Sequence, residues 1–215
     1  MKRLLSGVRA FHNSGAHANA ELYGALADGQ SPDTLFFTCA DSRVVPAFIA
    51  TSDPGELFTV RNVGNLIPRL DGDGLSTSDS SEAAAIEYAL EMLHVTDVVV
   101  CGHSGCGAMA GLVAPNASTF PPNLKQWLAQ AHGVLDASKF AASLGQGLPQ
   151  ADVLSQRNVV LQLRALETYP GIRRRTRDGG LRVHGWWFDI ASASVQVLRP
   201  TEGKFVAFEE AYGSE

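Results

Sequence analysis

Three residues with metal-binding side chains lie in two loops that each follow a hydrophobic, strand-like run. Cys39 ends the run that starts at Leu35, and His103 with Cys106 follows the run 98–100. Two thiolates and one imidazole suit zinc, and three protein ligands leave a fourth coordination position open for chemistry. The sequence therefore predicts a catalytic zinc site formed by Cys39, His103 and Cys106.

The two loops are far apart in the sequence, so the fold must bring them together. In an open parallel sheet, the loops at the carboxyl ends of neighbouring strands open into the same crevice. We therefore expect the strand that ends at Cys39 to lie beside the strand that ends at Cys101. Glycines around His103 and Cys106 permit the backbone angles that would let both side chains reach one ion.

Two charged residues, two and four positions after Cys39, indicate how such a site would work. Two thiolates neutralise the formal charge of Zn²⁺, so this zinc is expected to be a weaker Lewis acid than zinc bound by three histidines. Asp41 can accept a hydrogen bond from zinc-bound hydroxide and orient it, and Arg43 can hold Asp41 ionised through a bidentate pair. Asp41 could instead bind the zinc directly and close the site, and the sequence leaves both arrangements open.

Composition limits the class of protein. The chain has 215 residues, of which 45% are hydrophobic and 18% charged, and this favours one soluble globular domain over residues 1–215. A net charge of −5 argues against a nucleic-acid partner. No apolar run approaches the roughly 20 residues that span a bilayer, so no membrane association is expected. Three cysteines without disulfide spacing fit a reducing compartment, and we expect a cytoplasmic protein.

The pattern of hydrophobic residues predicts an α/β fold with a mostly parallel central sheet flanked by helices. Residues 1–28 are predicted to form an N-terminal helical arm that could pack on a neighbouring subunit. A run with four arginines, 173–177, follows Pro170 and is predicted to be a solvated loop. Strands are predicted at 35–39, 57–61, 95–101, 181–190, 194–198 and 205–208, and the clearest helices at 82–93, with Ser80 or Ser81 as its cap, and 153–168.

Five segments of the chain match one known family in the right order. They are CADSR (39–43), PGELFTVRN (54–62), IEY (86–88), CGHSGCGA (101–108) and HGWW (184–187). On these motifs the chain resembles the β-class carbonic anhydrases. The resemblance implies the β-carbonic anhydrase fold and zinc-dependent, reversible hydration of carbon dioxide to bicarbonate and a proton. It also implies that the two cysteines and the histidine named above are the zinc ligands, with Asp41 and Arg43 as the catalytic dyad.

The same resemblance implies a set of substrate-binding residues. Family members with Gln-Ser-Pro before the first strand hold substrate oxygen with that Gln, and the same segment begins here at Gln30. Residues that match Phe58, Val63 and Tyr88 line an apolar carbon dioxide pocket, and Gly107 is a further substrate-binding position. The family's functional unit is a dimer with active sites at the interface, so Gln30 and Tyr88 would face the partner's zinc. A homodimer or a dimer-based tetramer is therefore expected.

One departure from the family pattern bears on regulation. A branch regulated by bicarbonate carries Trp three residues before the first ligand and Gly directly before it, whereas this chain has Phe36 and Thr38. We therefore expect an open zinc with water or a small anion in the fourth position.

Other functions remain open at this level. The same fold could hydrolyse carbon disulfide or carbonyl sulfide. A non-catalytic zinc protein would have four protein ligands, and a thiol hydrolase would use Cys106 with His103.

Overall fold

Six β-strands form one sheet in the part of the chain that the structure, a computed structural model, describes: residues 1–15, 19–51 and 53–213. The strands are β1 (Thr34–Cys39), β2 (Leu57–Asn62), β3 (Asp97–His103), β4 (Arg182–Asp189), β5 (Ser194–Arg199) and β6 (Lys204–Ala207). The α-helices are α1 (Lys2–Ala10), α2 (Ala20–Ala25), α3 (Pro46–Ile49), α4 (Ser80–Glu87), α5 (Gly107–Leu112), α6 (Pro122–Ala129), α7 (Gln150–Leu166), α8 (Pro170–Arg177) and α9 (Phe208–Tyr212).

The strand order is β2-β1-β3-β4-β5-β6. The first four strands run parallel, and β5 and β6 add an antiparallel edge. Because β1 pairs directly with β3, with Thr38 opposite Cys101, the loops after these strands lie side by side. The α/β class and the predicted adjacency of the two strands are confirmed.

Strands β1 and β3 are buried on both faces, as their near-continuous apolar sequences indicate. Leu35 and Phe37 pack in one cluster with side chains of α4 and α7. Phe36 points to the other face, where it packs with Val99 and the ring of Trp186. Burial of both faces fixes the register of β1, and therefore the position of the cysteine that ends it.

The helix predicted at 82–93 differs in its start. It begins at Ser80, runs as α4 to Glu87 and continues as a π-helical turn over Tyr88–Met92. Its cap is Asp79, whose Oδ1 accepts a hydrogen bond from the backbone N–H of Ser81 at 2.7 Å. The predicted serine caps are wrong because Asp and Ser are similarly favoured at this position.

The prediction of a solvated loop at 173–177 is wrong, because these residues form the end of α8. Pro170 lies in the first turn of that helix, where its missing N–H leaves no hydrogen bond unmade. It therefore begins a new helix as well as ending α7. Arg175 fixes α8 against the segment that leads into β3 by donating hydrogen bonds to the carbonyls of Leu90 (2.8 Å) and Val95 (2.7 Å).

The N-terminal segment is helical where it is described. It contains α1, a π-helical turn over Phe11–Gly15 and α2, while residues 16–18 of the predicted arm lie outside the described residues. No residue of α1 is buried, and its apolar side chains Leu4, Leu5 and Val8 are exposed. Packing of this arm on a neighbouring subunit stays a prediction. Within the described ranges, no helix has the length and hydropathy that crossing a membrane requires.

Candidate active site

The side chains of Cys39, His103 and Cys106 meet at the carboxyl ends of β1 and β3. Their potential ligand atoms all lie within 4.8 Å of one another. Cys39 ends β1, His103 ends β3, and Cys106 is the residue before the first turn of α5. All three are buried, with exposed fractions of 5%, 0% and 0%. The structure thus brings together the three residues that the sequence predicts as metal ligands.

The imidazole of His103 is oriented as a metal ligand. Its Nδ1 lies 2.9 Å from the carbonyl oxygen of Ser104, which can only accept a hydrogen bond, so Nδ1 carries the proton. Nε2 then has a free lone pair, and it is buried without a hydrogen-bond partner among the described residues. An unpaired buried nitrogen is costly unless a ligand satisfies it. Its lone pair faces the group that contains both cysteine sulfurs.

The thiols of Cys39 and Cys106 shift each other's pKa in opposite directions. A hydrogen bond from Cys106 lowers the pKa of Cys39 to about 4. The same hydrogen bond, together with burial, raises the pKa of Cys106 above its ordinary value. Cys39 is therefore the more readily ionised of the two thiols, and Cys106 would give up its proton when a cation binds both sulfurs.

Cys101, the third cysteine, lies inside β3 and is fully buried. Burial raises the pKa of its thiol to about 12, so it stays protonated and packs as a small apolar side chain. Cys101 is not one of the predicted ligands.

Asp41 and Arg43 form a two-point ion pair beside the three ligand residues. Arg43 Nε donates to Asp41 Oδ1 at 2.9 Å, and Nη2 donates to Oδ2 at 2.7 Å. These hydrogen bonds hold the pKa of Asp41 well below its usual range. Asp41 Oδ2 also lies 3.9 Å from Nε2 of His103, so an ionised carboxylate oxygen faces the ligand group.

Arg61, at the end of β2, holds the loop that carries this ion pair. Its guanidinium donates to the carbonyls of Cys39 (3.1 Å), Asp41 (2.8 Å) and Val44 (2.8 Å). Three hydrogen bonds from one planar group fix the backbone on both sides of Asp41. The sequence contained this arginine in a family-matching segment, but its structural role was not predicted.

The polar face of α7 supports both ligand loops and was missed by the sequence analysis. Ser155 Oγ donates to the carbonyl of His103 at 2.7 Å, and Asp152 Oδ1 accepts from the backbone N–H of Gly105 at 2.6 Å. One turn further on, Asn158 Nδ2 donates to the carbonyl of Gly64 at 2.8 Å. These side chains recur every three residues, which places them on one face of the helix. That spacing was the feature of the sequence from which a polar, inward-facing side of α7 could have been predicted.

Gly64 connects that helix to the first ligand. Its backbone N–H points at Cys39 Sγ with an N···S distance of 3.4 Å, which stabilises a thiolate. Gly64 has a φ of +84°, and a Cβ there would lie 2.9 Å from the Cβ of Ala108. Only glycine fits this turn without strain.

The donor set fits a metal ion. Two sulfurs, one unpaired imidazole nitrogen and hydrogen bonds to the atoms behind them are the features of a three-ligand site. The described residues within this group supply three ligands and one nearby carboxylate, not four cysteine or histidine ligands.

Comparison with known proteins identifies the family. A family model described as "Carbonic anhydrase" matches residues 34–195, which include all of the site residues described so far. The chain belongs to the β-carbonic anhydrase family.

Relatives with curated names cover nearly the whole of this carbonic anhydrase chain. It is 36% identical over 212 residues to a carbonic anhydrase of Pseudomonas aeruginosa, a match that covers 98% of this chain and 93% of the relative. It is 37% identical over 213 residues to a carbonic anhydrase of Synechococcus elongatus, covering 98% of this chain and 76% of the relative. Matches of this extent show that the chain is of the carbonate dehydratase class, the lyases to which this family belongs.

Solved structures share the fold. The β-carbonic anhydrase CcaA matches with a TM-score of 0.85 and 36% identity over 96% of this chain and 91% of that one. A Coccomyxa β-carbonic anhydrase in complex with acetazolamide matches with a TM-score of 0.74 and 30% identity over 98% of this chain and 90% of that one. The predicted β-carbonic anhydrase fold is confirmed.

The predicted substrate-binding residues of this carbonic anhydrase lie at opposite ends of the sheet. Gln30 is exposed and precedes the amino end of β1, whereas Cys39 ends that strand. Phe58 lies opposite Leu35 near the same amino end, and its ring centroid is 5.9 Å from that of Tyr88. Within one chain these three residues are therefore not beside the ligand group.

Val63 and Gly107 lie at the carboxyl end of the sheet with the ligands. Val63 follows β2, is 45% exposed and lines a cavity of about 460 Å³ with Ala40, the residue after Cys39. Gly107 is exposed and begins α5, directly after Cys106.

Proposed function

We propose that this chain is a zinc-dependent carbonic anhydrase that converts carbon dioxide and water to bicarbonate and a proton, and the reverse. The observation that carries the proposal is the unpaired, buried Nε2 of His103, which belongs to a histidine grouped with two cysteine sulfurs and lies 3.9 Å from a carboxylate oxygen of Asp41. Membership of the family supports the reaction, and the ligand set supports zinc as the metal.

Cys39, His103 and Cys106 would hold the zinc. When bound, zinc supplies the Lewis acidity that activates a water molecule for attack on carbon dioxide. The carbonyl of Ser104 and the N–H of Gly64 keep the imidazole and one sulfur oriented toward the ion.

Asp41 would orient the attacking water. Because both of its oxygens already accept hydrogen bonds from Arg43, the carboxylate stays ionised and accepts a further hydrogen bond without taking the proton. Its Oδ2 faces the ligand group, so one O–H of the water would point at Asp41 and a lone pair at the substrate carbon. The ion pair with Arg43 supports this open arrangement over one in which Asp41 itself binds the metal.

The cavity beside Val63 would admit carbon dioxide. Its exposed lining is mostly apolar and includes Ala40, Leu124 and Trp127, while Arg61 and Glu82 also border it. Trp127 Nε1 donates to the carbonyl of Val63 at 2.7 Å, which fixes the apolar wall. An apolar wall next to a polar attacking group suits a small molecule without charge. Gly107 would leave space for the substrate on the opposite ligand loop.

Gln30, Phe58 and Tyr88 would act across a dimer interface. They lie away from the ligand group of their own chain, so a contribution to catalysis requires a second copy. We therefore propose that residues 1–215 form one domain that assembles as a homodimer or a dimer of dimers. One related pair of Sordaria macrospora enzymes is described as tetrameric.

Carbon dioxide hydration measured by stopped flow, together with metal analysis of the same sample, tests the proposal. We expect about one zinc per chain and hydration well above the buffer rate for the unaltered protein. Cys39→Ala and Cys106→Ala should lose both zinc and activity. Cys101→Ala is the matched control, because it removes a buried sulfur two strand positions from His103 and should keep both.

Zinc bound without hydration would contradict the proposed reaction. Hydrolysis of carbonyl sulfide in its place would identify the alternative substrate, and zinc retained in Cys39→Ala would contradict the ligand set.

A further inference from the structure

A second cavity lies between the C-terminal half of α7, helix α8 and strands β4 and β5. Its volume is about 650 Å³, within the range of roughly 300–1,000 Å³ that small-molecule sites occupy. Its wall is mostly apolar, and the side chains of Leu144, Leu166, Ile172 and Leu198 that form it are buried. The cavity therefore reaches below the surface into the apolar core.

Arginines surround the mouth of this cavity. Arg164, Arg173 and Arg177 line it together with a single carboxylate, Glu167, so the mouth carries an excess of positive charge. Arg177 is 3.6 Å from the carboxylate of Asp178, which offsets its charge. The cationic excess thus comes from Arg164 and Arg173.

These two arginines are held in place without a carboxylate partner in the described part of the chain. Arg164 Nη2 donates to the carbonyl of Lys139 at 2.9 Å, and its guanidinium lies 5.4 Å from the ring centroid of Phe140. Arg173 Nη1 donates to the carbonyl of Glu167 at 2.6 Å. Each guanidinium has five N–H groups, so most of its donors remain available for an anion.

A polar cavity adjoins the apolar one at the same arginines. It is about 650 Å³ in volume and is lined by Arg164, Arg173, Glu167 and the loop 69–74, which includes Arg69, Asp71 and Asp73. Its three carboxylates offset the charge of its three arginines, which disfavours a multiply charged head group such as a phosphate ester. A singly charged group at the junction would meet the guanidinium groups and stay partly hydrated.

We propose that this pair of cavities, termed the arginine groove, binds an amphiphilic monocarboxylate, with its aliphatic chain in the apolar cavity and its carboxylate at Arg164 and Arg173. The apolar cavity suits the aliphatic chain, the arginines at its mouth suit the carboxylate, and the adjoining polar cavity lets the carboxylate stay partly hydrated. The exposed face of α1 from a second copy is a poorer occupant, because Lys2, Arg3 and Arg9 on that helix would meet like charges.

The arginine groove is separate from the candidate active site. Asp152, which contacts the ligand loop, and Arg164 are twelve residues apart on α7, or about 18 Å along the helix axis. The inference therefore does not depend on the proposed function.

Isothermal titration of the metal-loaded protein with three probes tests the proposal. Decanoate has both the aliphatic chain and the carboxylate and should bind. Acetate has only the carboxylate, and decyltrimethylammonium has a similar chain with the opposite charge, so both should bind at least about tenfold more weakly. Equal binding of decanoate and the ammonium probe, or of decanoate and acetate, would overturn the proposal.

Substitutions then locate the bound decanoate. Arg164→Gln combined with Arg173→Gln should weaken binding at least about tenfold, because each guanidinium forms charge-assisted hydrogen bonds. Arg174→Gln is the matched control, since Arg174 lies beside Arg173 on α8 but pairs with Glu91 at 2.9 Å.

Thr176→Trp is a second variant, which leaves both guanidinium groups in place and fills the mouth of the apolar cavity. It should also weaken decanoate binding, with an unchanged unfolding midpoint in the absence of ligand. If decanoate still binds both to the double variant and to Thr176→Trp, its site lies elsewhere and the proposal is wrong. A change in oligomeric state on addition of decanoate would also contradict it, because the groove would then be a contact between copies of the chain.

Discussion

The backbone N–H of Gly105 donates a hydrogen bond to Asp152 Oδ1, with an N···O distance of 2.6 Å. Gly105 lies between His103 and Cys106, so this contact connects the first turn of α7 to the turn that carries two of the three candidate ligands. Arg43 Nη2 donates to the carbonyl of the same glycine at 3.0 Å. Both backbone polar groups of Gly105 are therefore held, and with them the turn between the two ligands.

Removal of the Asp152 carboxylate should loosen this turn. We expect Asp152→Ala to lower zinc affinity and hydration activity by about tenfold, as for other groups that orient metal ligands. Asp152→Asn keeps an oxygen that can accept the hydrogen bond and should retain most of both. Competition with a chelator measures the affinity, and Asp136→Ala, which removes a carboxylate that accepts from Ser138 away from the site, is the control. Equal losses in the Ala and Asn variants would contradict the positioning role.

Gly102 and Gly107 should respond differently to the same added methyl group. A Cβ at Gly102 would lie 2.7 Å from Val159 Cγ2, whereas a Cβ at Gly107 would have no atom within 4 Å. We expect Gly102→Ala to reduce the free energy of unfolding by about 1–3 kcal/mol through overpacking next to His103. Gly107→Ala should leave stability unchanged but reduce hydration, because its methyl group would occupy the proposed substrate space.

Urea unfolding and stopped-flow hydration on both glycine variants separate the two effects. Full activity in Gly107→Ala would remove that residue from the substrate-binding set. A stable Gly102→Ala variant would show that α7 can move away from β3.

Arg43 should matter for turnover and not for metal content. Arg43→Lys keeps the positive charge but loses the two-point contact with Asp41, so the attacking water would be misoriented. We expect hydration to fall by roughly 100-fold with zinc retained, a loss typical of a misplaced reacting group. Arg182→Lys is the matched control, because Arg182 makes the same kind of two-point pair with Asp97 away from the site. Full activity in Arg43→Lys would contradict the role of the dyad.

The ligand group was predictable from the sequence for physical reasons. A thiol or imidazole at the end of a buried strand has its position fixed by the register of that strand, and neighbouring parallel strands open their loops into one crevice. Cys39 and His103 therefore needed only the pairing of β1 with β3. The spacing of His103 and Cys106 is local and directly visible in the sequence.

The support from α7 was not predictable in the same way. Asp152 and Ser155 read as ordinary polar residues of a helix, and their partners lie about 50 residues away in the sequence. Only the docking of α7 on the sheet turns a polar face inward. The wrong loop prediction after Pro170 has a local cause, since proline both ends one helix and begins the next.

Asp97 lies far from the active site, and its carboxyl group should make the free energy of unfolding depend on pH. Burial alone would raise the pKa of its carboxyl group, but hydrogen bonds from Arg182 and His184 outweigh this and lower it below its ordinary value. A lowered folded-state pKa means that the stabilisation is fully present above the ordinary pKa of about 4 and is lost as the pH falls through the lowered value.

Asp97→Asn should therefore reduce the free energy of unfolding by about 1 kcal/mol at pH values near and above 5, and the difference from the unaltered protein should shrink toward pH 3. Urea unfolding across this range measures the difference, with Asp136→Asn as an exposed control whose difference should be smaller. A difference that stays constant or grows in acid would show that the pair with Arg182 does not stabilise the ionised form of Asp97.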